Sequence, residues 1–531
     1  MNASRADAGF AEGDPRAENL GYWSHLVARR RPERVAMIDL CGPAERVVRH
    51  AEFEERMDRV AALLTARGLR AGDRLAMCLR NRFEFVEVMY GAMRAGVVPV
   101  PLNIKLGAET LDYTIRDAGC VGAVIETAAN PAMAGVAEGA GLGLRLAMGG
   151  DQPTGWEDYE TALMAAAPVF NPPVLAPDHP AFQPYTSGST GRPKGVVLTH
   201  AGQLWWIRTT EKYWPTDPEG RQLAAVPLYH KNAMAGAIKP RLHVGGCVVL
   251  LPDFEPRRFL QVLADYRIVK AGAVPTVFSQ LLRHRDLIER LDFSALQSFS
   301  IGSATVPPEL MAEVRRVFGV RVTESYGLTE GGPVMIGQPV DGTPSPPGSC
   351  GKAWPEGEVK LVGADGRESA DFGELWVRNP GVTPGYHNLP KVNAERIVDG
   401  WLRTGDLFRR DAEGFFYFEG RTDDMFKCAG ESVSPKEVEN LLLRHPAVVD
   451  ACVVPVRWGD KGHAPAAMVM LAVPGAADEA ALKAFCLEHG PAYAHPRHVE
   501  VVAQIPLNGA GKNDRNLVRA DLDARFGREA G

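Results

Sequence analysis

The run Tyr185-Thr-Ser-Gly-Ser-Thr-Gly-Arg-Pro-Lys-Gly195 sets glycines beside small hydroxylated residues. Ser187, Gly188, Ser189 and Thr190 leave the backbone bare enough for an anion to approach, and their N–H and O–H groups can all donate to it. Lys194 adds a cation. The chemistry such a set serves is phosphate binding. It differs from the common P-loop, because Pro193 stands where that pattern has glycine and strand-forming Val196–Leu198 follows where that pattern has a helix. A Gly/Ser cluster alone is a flexible surface turn; the order of these residues argues for an anion site.

Four further segments carry reactive side chains. They are Pro227-Leu-Tyr-His230, Tyr326-Gly-Leu-Thr-Glu330, the long stretch from Trp401 to Lys427, and Asn508-Gly-Ala-Gly-Lys512. In this order, together with the phosphate loop, they resemble the motifs of the adenylate-forming superfamily. That superfamily includes acyl-CoA synthetases, peptide-synthetase adenylation domains and beetle luciferases, and the resemblance covers essentially the whole chain.

The resemblance implies ATP, Mg²⁺ and coenzyme A as small-molecule partners of a carboxylic acid. Thr186, Ser187, Gly188, Ser189, Thr190, Gly191 and Lys194 would hold the β- and γ-phosphates. Thr329 would contact the α-phosphate. Glu330 would help hold Mg²⁺, a hard ion that takes carboxylate and phosphate oxygens. Gly302, Ser303 and Ala304, with Glu324, Ser325 and Tyr326, would form the adenine slot, and Gly327 beside them belongs to the same cofactor-binding set. Asp406 would accept both ribose hydroxyls, for which a carboxylate offers two oxygens, and Arg421 would reach the ribose–phosphate region. Lys512 would be the catalytic lysine, bridging the acid's carboxylate and the α-phosphate with a flexible ammonium. Asp423 matches a hinge, about which the small domain would rotate between half-reactions.

Within the superfamily, Lys427-Cys-Ala-Gly430 through Pro435 resembles the acyl-CoA ligase form, with Lys427 and Gly430 at the pantetheine tunnel. His230 matches the gate between that tunnel and the acyl pocket. Amino-acid adenylation for a carrier protein is the alternative, but Pro227–Gly236 offers no aspartate to pair a substrate amine. A non-catalytic nucleotide-binding homologue is a third reading. Gly327 stands where acetate-specific relatives carry a pocket-blocking tryptophan, so an acid larger than acetate is expected. Lys231 and Asn232 either recognise a polar group on the acid or CoA, or face solvent or cap a helix. Met234, Thr276, Val277, Ser279, Val334 and Met335 are candidate pocket-lining positions that do not fix the acid.

These residues need a scaffold. Phe53, Met57, Val60 and Leu64 recur at helical spacing, and strand-like Arg74–Leu79, helical Asn81–Ala95 and strand-like Val97–Pro101 follow. That β-α-β rhythm implies parallel strands under helices. Ser434-Pro-Lys-Glu437 is a capping box with proline at the first helical position. The fold class expected is α/β: a large N-terminal body with parallel sheets over residues 1–421, and a small mobile α+β domain over 422–531 carrying Lys512. Gly337–Gly351 is either a domain linker or an ordered loop. A net charge of −6 gives no basic face for nucleic acid. No apolar run reaches membrane-span length. Eight scattered cysteines without metal spacing read as reduced thiols of a cytoplasmic protein. Homodimer formation is allowed by this reading.

Overall fold

Strands whose residues are apolar on both faces pair in parallel and are buried under helices. In the computed structural model, which describes residues 14–187, 192–302, 306–428, 431–459, 462–508 and 512–527, this governs the N-terminal half. One sheet orders the strands Val98–Pro101, Arg74–Cys78, Cys120–Glu126, Leu144–Met148 and Glu157–Asp158, every pair parallel. A second sheet runs Arg321–Ser325, Ser298–Gly302, Ile268–Ala273, Arg221–Ala224, Cys247–Leu250, Val35–Asp39 and Arg46–Arg49. Only the last pair of that sheet is antiparallel. The expected helix is His50–Ala66, and Phe53, Met57, Val60 and Leu64 are each at most 1% exposed.

Open parallel sheets bind ligands beyond the carboxyl ends of their strands. Three candidate segments leave the second sheet at such ends. The chain passes from Arg221–Ala224 into Pro227–His230, Gly302 ends its strand, and Ser325 ends the next one in register with Gly302.

The Pro- and Gly-rich stretch after Ile336 is a loop with its ends tied. Ile336–Gly337 pairs antiparallel with Lys352–Ala353. Gly351 has φ +109°, and a Cβ there would stand 1.9 Å from the Gly337 carbonyl oxygen, so only glycine fits.

Further on, Trp401–Arg410 turns back on Phe416–Arg421 as an antiparallel pair that places Asp406 opposite Arg421. The C-terminal part is α+β. Strand Val448–Arg457 lies antiparallel to His463–Leu471, which pairs in parallel with His498–Val501. Helices Pro435–Leu443, Glu479–His489 and Arg515–Phe526 accompany them. Ser434 caps the first, accepting from the Glu437 N–H at 3.5 Å, with Pro435 at the first helical position. Two compact units divide the chain: Met1–Ser345 with Gly351–Val359 and Val377–Leu402, and Pro346–Cys350 with Lys360–Trp376 and Arg403–Gly531.

Candidate active site

The first unit holds the phosphate-binding candidates. Tyr185–Ser187 and Pro193–Gly195 pair antiparallel, with Lys194 opposite Thr186. Gly188, Ser189, Thr190 and Gly191, and the side chain of Ser187, lie outside the described residues. Gly195 makes the close pairing sterically feasible, since a Cβ there would be 2.8 Å from the Tyr185 ring. Lys194 places its ammonium 5.7 Å from the centroid of the Tyr386 ring. The Tyr386 hydroxyl donates to Glu330 Oε1 at 2.9 Å. Lys194 and the Glu330 carboxylate are therefore linked through one aromatic side chain.

Glu330 is 9% exposed and rides on a tightly held loop. The loop leaves and returns at one point: the Tyr326 N–H donates to the Ile336 carbonyl at 2.9 Å, and the Met335 N–H to the Tyr326 carbonyl at 2.9 Å. Between them, four carbonyls have donors from elsewhere in the fold. The Thr383 N–H reaches Glu330 O at 2.7 Å, and Asn379 Nδ2 reaches Gly331 O at 2.9 Å. Lys231 Nζ reaches both Leu328 O, at 2.6 Å, and Gly332 O, at 3.1 Å. A buried carbonyl without a donor is costly, and here each of these is satisfied by a residue distant in sequence. Thr329 is partly buried in the same loop.

Gly327 has a reason beyond room for the acid. A Cβ at this position would stand 2.0 Å from the Pro333 carbonyl oxygen, so the folded loop excludes any side chain there. Of the adenine-slot candidates, Glu324 lies in register with Ile301 and Ser325 with Gly302, which brings those strand ends together. Ser303 and Ala304 lie outside the described residues. His230 precedes the short helix Lys231–Ala233, which continues as a π-helical turn, Met234–Ile238, and then as Lys239–His243. A π-turn is a local irregularity found often at functional sites. Its Met234 is fully buried, and the His230 ring lies 4.7 Å from that of Tyr229. Lys231 opens that helix and is partly buried, and its ammonium is occupied by the two carbonyls. The Asn232 side chain lies outside the described residues.

The second unit carries the remaining candidates. Asp406 is 6% exposed, with its Oδ1 3.4 Å from Arg421 Nε. Its N–H donates to Thr404 Oγ1 at 3.1 Å, and the preceding Gly405, at φ +74°, donates to Glu374 Oε1 at 2.9 Å. Lys512 is exposed, and a pair of hydrogen bonds with Asn508 closes its loop: Asn508 N–H to Lys512 O at 2.7 Å, and Lys512 N–H to Asn508 Oδ1 at 3.2 Å. Desolvation draws the Lys512 ammonium below the ordinary lysine range, Asp406 pulls it back up, and Arg421 adds to the lowering. Asp406, Arg421 and Lys512 thus share one electrostatic neighbourhood. Asp423 sits in the one-turn helix Thr422–Asp424, and Lys427 is exposed on the strand Phe426–Cys428. Gly430 lies outside the described residues.

Sequence reasoning missed Tyr386, Thr383 and Asn379. All three fall between recognised motifs, and the only local signal is the turn chemistry of Asn379-Pro-Gly and Pro384-Gly-Tyr386.

Comparison with known proteins agrees with this geometry. A family profile described as AMP-binding enzyme matches residues 25–387, and one described as AMP-binding enzyme C-terminal domain matches residues 437–512. A feruloyl-CoA synthase from Amycolatopsis sp is 31% identical over 517 residues, covering 96% of this chain and 100% of the relative. A sulfoacetate–CoA ligase from Cupriavidus necator is 31% identical over 457 residues, covering 85% and 88% respectively. The crystal structure of ATP-bound MatB from Rhodopseudomonas palustris superimposes with a TM-score of 0.87 at 28% identity, over 96% of this chain and 99% of that one. With the motifs, both profiles and the fold in agreement, the chain belongs to the AMP-binding enzyme family, the adenylate-forming superfamily, and is an AMP-forming ligase of its acyl-CoA synthetase branch.

Proposed function

We propose that the enzyme joins a carboxylic acid larger than acetate to coenzyme A in two steps. The acid's carboxylate oxygen attacks the α-phosphorus of ATP; the bond from that phosphorus to the bridging oxygen breaks, and pyrophosphate leaves. The CoA thiolate then attacks the acyl carbon, and AMP departs with the oxygen that linked it. The observation that carries this reading is the Lys194–Tyr386–Glu330 chain, because it sets a cation and a buried carboxylate around one anion site.

Bringing a carboxylate against a polyphosphate is opposed by charge, so positioning and neutralisation dominate the catalysis. Thr186 and Lys194 hold the outer phosphates, together with Ser187, Gly188, Ser189, Thr190 and Gly191, and Thr329 orients the α-phosphate. Glu330 is suited to Mg²⁺, since one hard carboxylate combined with phosphate oxygens matches the coordination that ion prefers. A bound Mg²⁺ would neutralise charge on the phosphates. Asp406 fixes the ribose, and Lys512 tracks the charge passing from the acid to the α-phosphate. Gly302, Ser303, Ala304, Glu324, Ser325 and Tyr326 accommodate the base, with Gly327 beside them.

The residues after Arg421 form the moving domain in this reading, hinged at Asp423, with Lys427, Gly430 and the His230 gate serving the thiol half-reaction. All eight cysteines are free, which suits a reducing compartment such as the cytoplasm, and no described helix is long and apolar enough to cross a membrane. The relatives named above act on acids as unlike as ferulate and sulfoacetate, so the acid must be found by experiment.

The test is a panel of short, branched, hydroxylated, aromatic and fatty acids with Mg·ATP, with and without CoA. AMP and pyrophosphate formation that requires both an acid and CoA is expected. Acid-dependent pyrophosphate exchange with no CoA turnover would shift the acceptor to a carrier protein.

A further inference from the structure

We propose that Lys231 is a positioning residue for adenylation: its ammonium ties the helix after the His230 gate to both ends of the loop that carries Thr329 and Glu330. This rests on the ligase reading of the same site.

The geometry is specific. Leu328 O and Gly332 O converge on one nitrogen, at 2.6 and 3.1 Å, and Thr329, Glu330 and Gly331 lie between them in the chain. The turn is also closed from within, by the Gly331 N–H to Leu328 O at 3.4 Å, and Gly332 adopts φ +94° to bring its carbonyl round. An ammonium suits two converging carbonyls, having three donors and no acceptor, and its charge strengthens each bond. Thr383 and Asn379 hold the carbonyls of Glu330 and Gly331, and Tyr386 holds the Glu330 carboxylate. Lys231 is the member of this set that comes from the gate side of the site. The cation is kept at a cost: desolvation draws its pKa down to about 7, against the attraction of Glu330. The two accepting carbonyls offset part of that desolvation.

Clamping both ends of a five-residue turn limits where the Thr329 hydroxyl and the Glu330 carboxylate can sit. Those two groups would meet the α-phosphate and Mg²⁺. Lys231 therefore acts through them, without touching the acid, and it couples the position of the gate helix to the nucleotide end of the site.

The test compares Lys231→Met and Lys231→Gln with the wild-type protein, using the best acid from the panel. Three quantities are read: the Mg²⁺ dependence of acid-dependent pyrophosphate release, the KM for the acid, and thioester formation from supplied acyl-adenylate. For Lys231→Met, the Mg²⁺ midpoint is expected to rise and kcat for pyrophosphate release to fall on the order of tenfold to a hundredfold, as for misplaced reacting groups. Acid KM and thioester formation should stay near wild-type values. Should the methionine variant not fold, Lys231→Gln keeps an amide donor and should show the same pattern, with a smaller Mg²⁺ shift. A raised acid KM with an unchanged Mg²⁺ midpoint would overturn the inference in favour of direct acid recognition. Equal losses in both half-reactions would overturn it in favour of a purely structural lysine. No pyrophosphate release from the wild-type protein with any acid would instead remove the ligase reading, and this inference with it.

Discussion

Lys512→Ala is expected to abolish acyl-adenylate formation while leaving thioester formation from a supplied acyl-adenylate largely intact. Lys512 is exposed on a loop closed by Asn508, in the electrostatic neighbourhood of Asp406 and Arg421. Among the described residues it makes no ion pair, and it is exposed, so removing its side chain beyond Cβ should leave packing nearly unchanged. In the proposed mechanism, what is lost is a positive charge where a carboxylate would meet the α-phosphate. Losing one such preorganised group costs on the order of 10²–10³-fold in kcat, and a full charge between two anions belongs at the upper end or beyond. In the second half-reaction AMP is leaving and the thiol attacks carbon, so the proposed domain rotation gives Lys512 no part in it. Stopped-flow or quench measurements of the separate half-reactions decide the matter. Equal loss of both would make the lysine structural or remove the rotation from the mechanism.

Glu330→Gln is expected to lower kcat for adenylation by a similar order, 10²–10³-fold, and to raise the Mg²⁺ concentration needed for half-maximal rate. The substitution is chosen because it separates charge from architecture. A glutamine oxygen can still accept from the Tyr386 hydroxyl, which now donates to Glu330 Oε1 at 2.9 Å, and the backbone bonds from Thr383 and Lys231 are untouched. The loop should hold its shape and the unfolding midpoint should move little. The hard anionic ligand alone disappears. A Glu330→Gln enzyme with the wild-type Mg²⁺ dependence would take the metal away from this carboxylate.

Much of the fold was legible because its signals are local. Phe53, Met57, Val60 and Leu64 repeat at the helical period and all face the core, and Ser434-Pro435 marks a helix start through its own cap. The motif residues were legible for another reason: phosphate, ribose and metal chemistry restrict which side chains can serve, so the same short patterns recur. The supports for those residues leave no such pattern. Tyr386 meets Glu330 across 56 positions, and Lys231 meets Leu328 across 97, with a backbone carbonyl as its target. Any residue can provide a carbonyl, so no sequence pattern could announce that contact. Lys231 stood out only as an unusual polar residue directly after the His230 motif. Gly327 shows the converse. Its type was read as space for the acid, while the folded chain also requires it because Pro333 O approaches to within contact of its missing Cβ. The strands Trp401–Arg410 and Phe416–Arg421 carried a recognised motif, yet their pairing depends on a register that the motif does not display.

The most direct test of the proposed chemistry follows an oxygen atom. An acid from the panel is labelled with ¹⁸O in its carboxylate, turned over with Mg·ATP and CoA, and the products are weighed by mass spectrometry. Attack on the α-phosphorus followed by thiolysis should leave one labelled oxygen in AMP and none in pyrophosphate. Label in inorganic phosphate together with ADP would mean attack at the γ-phosphorus and an acyl-phosphate route, and would contradict the reading of Thr329, Glu330 and Lys512 as an adenylation site.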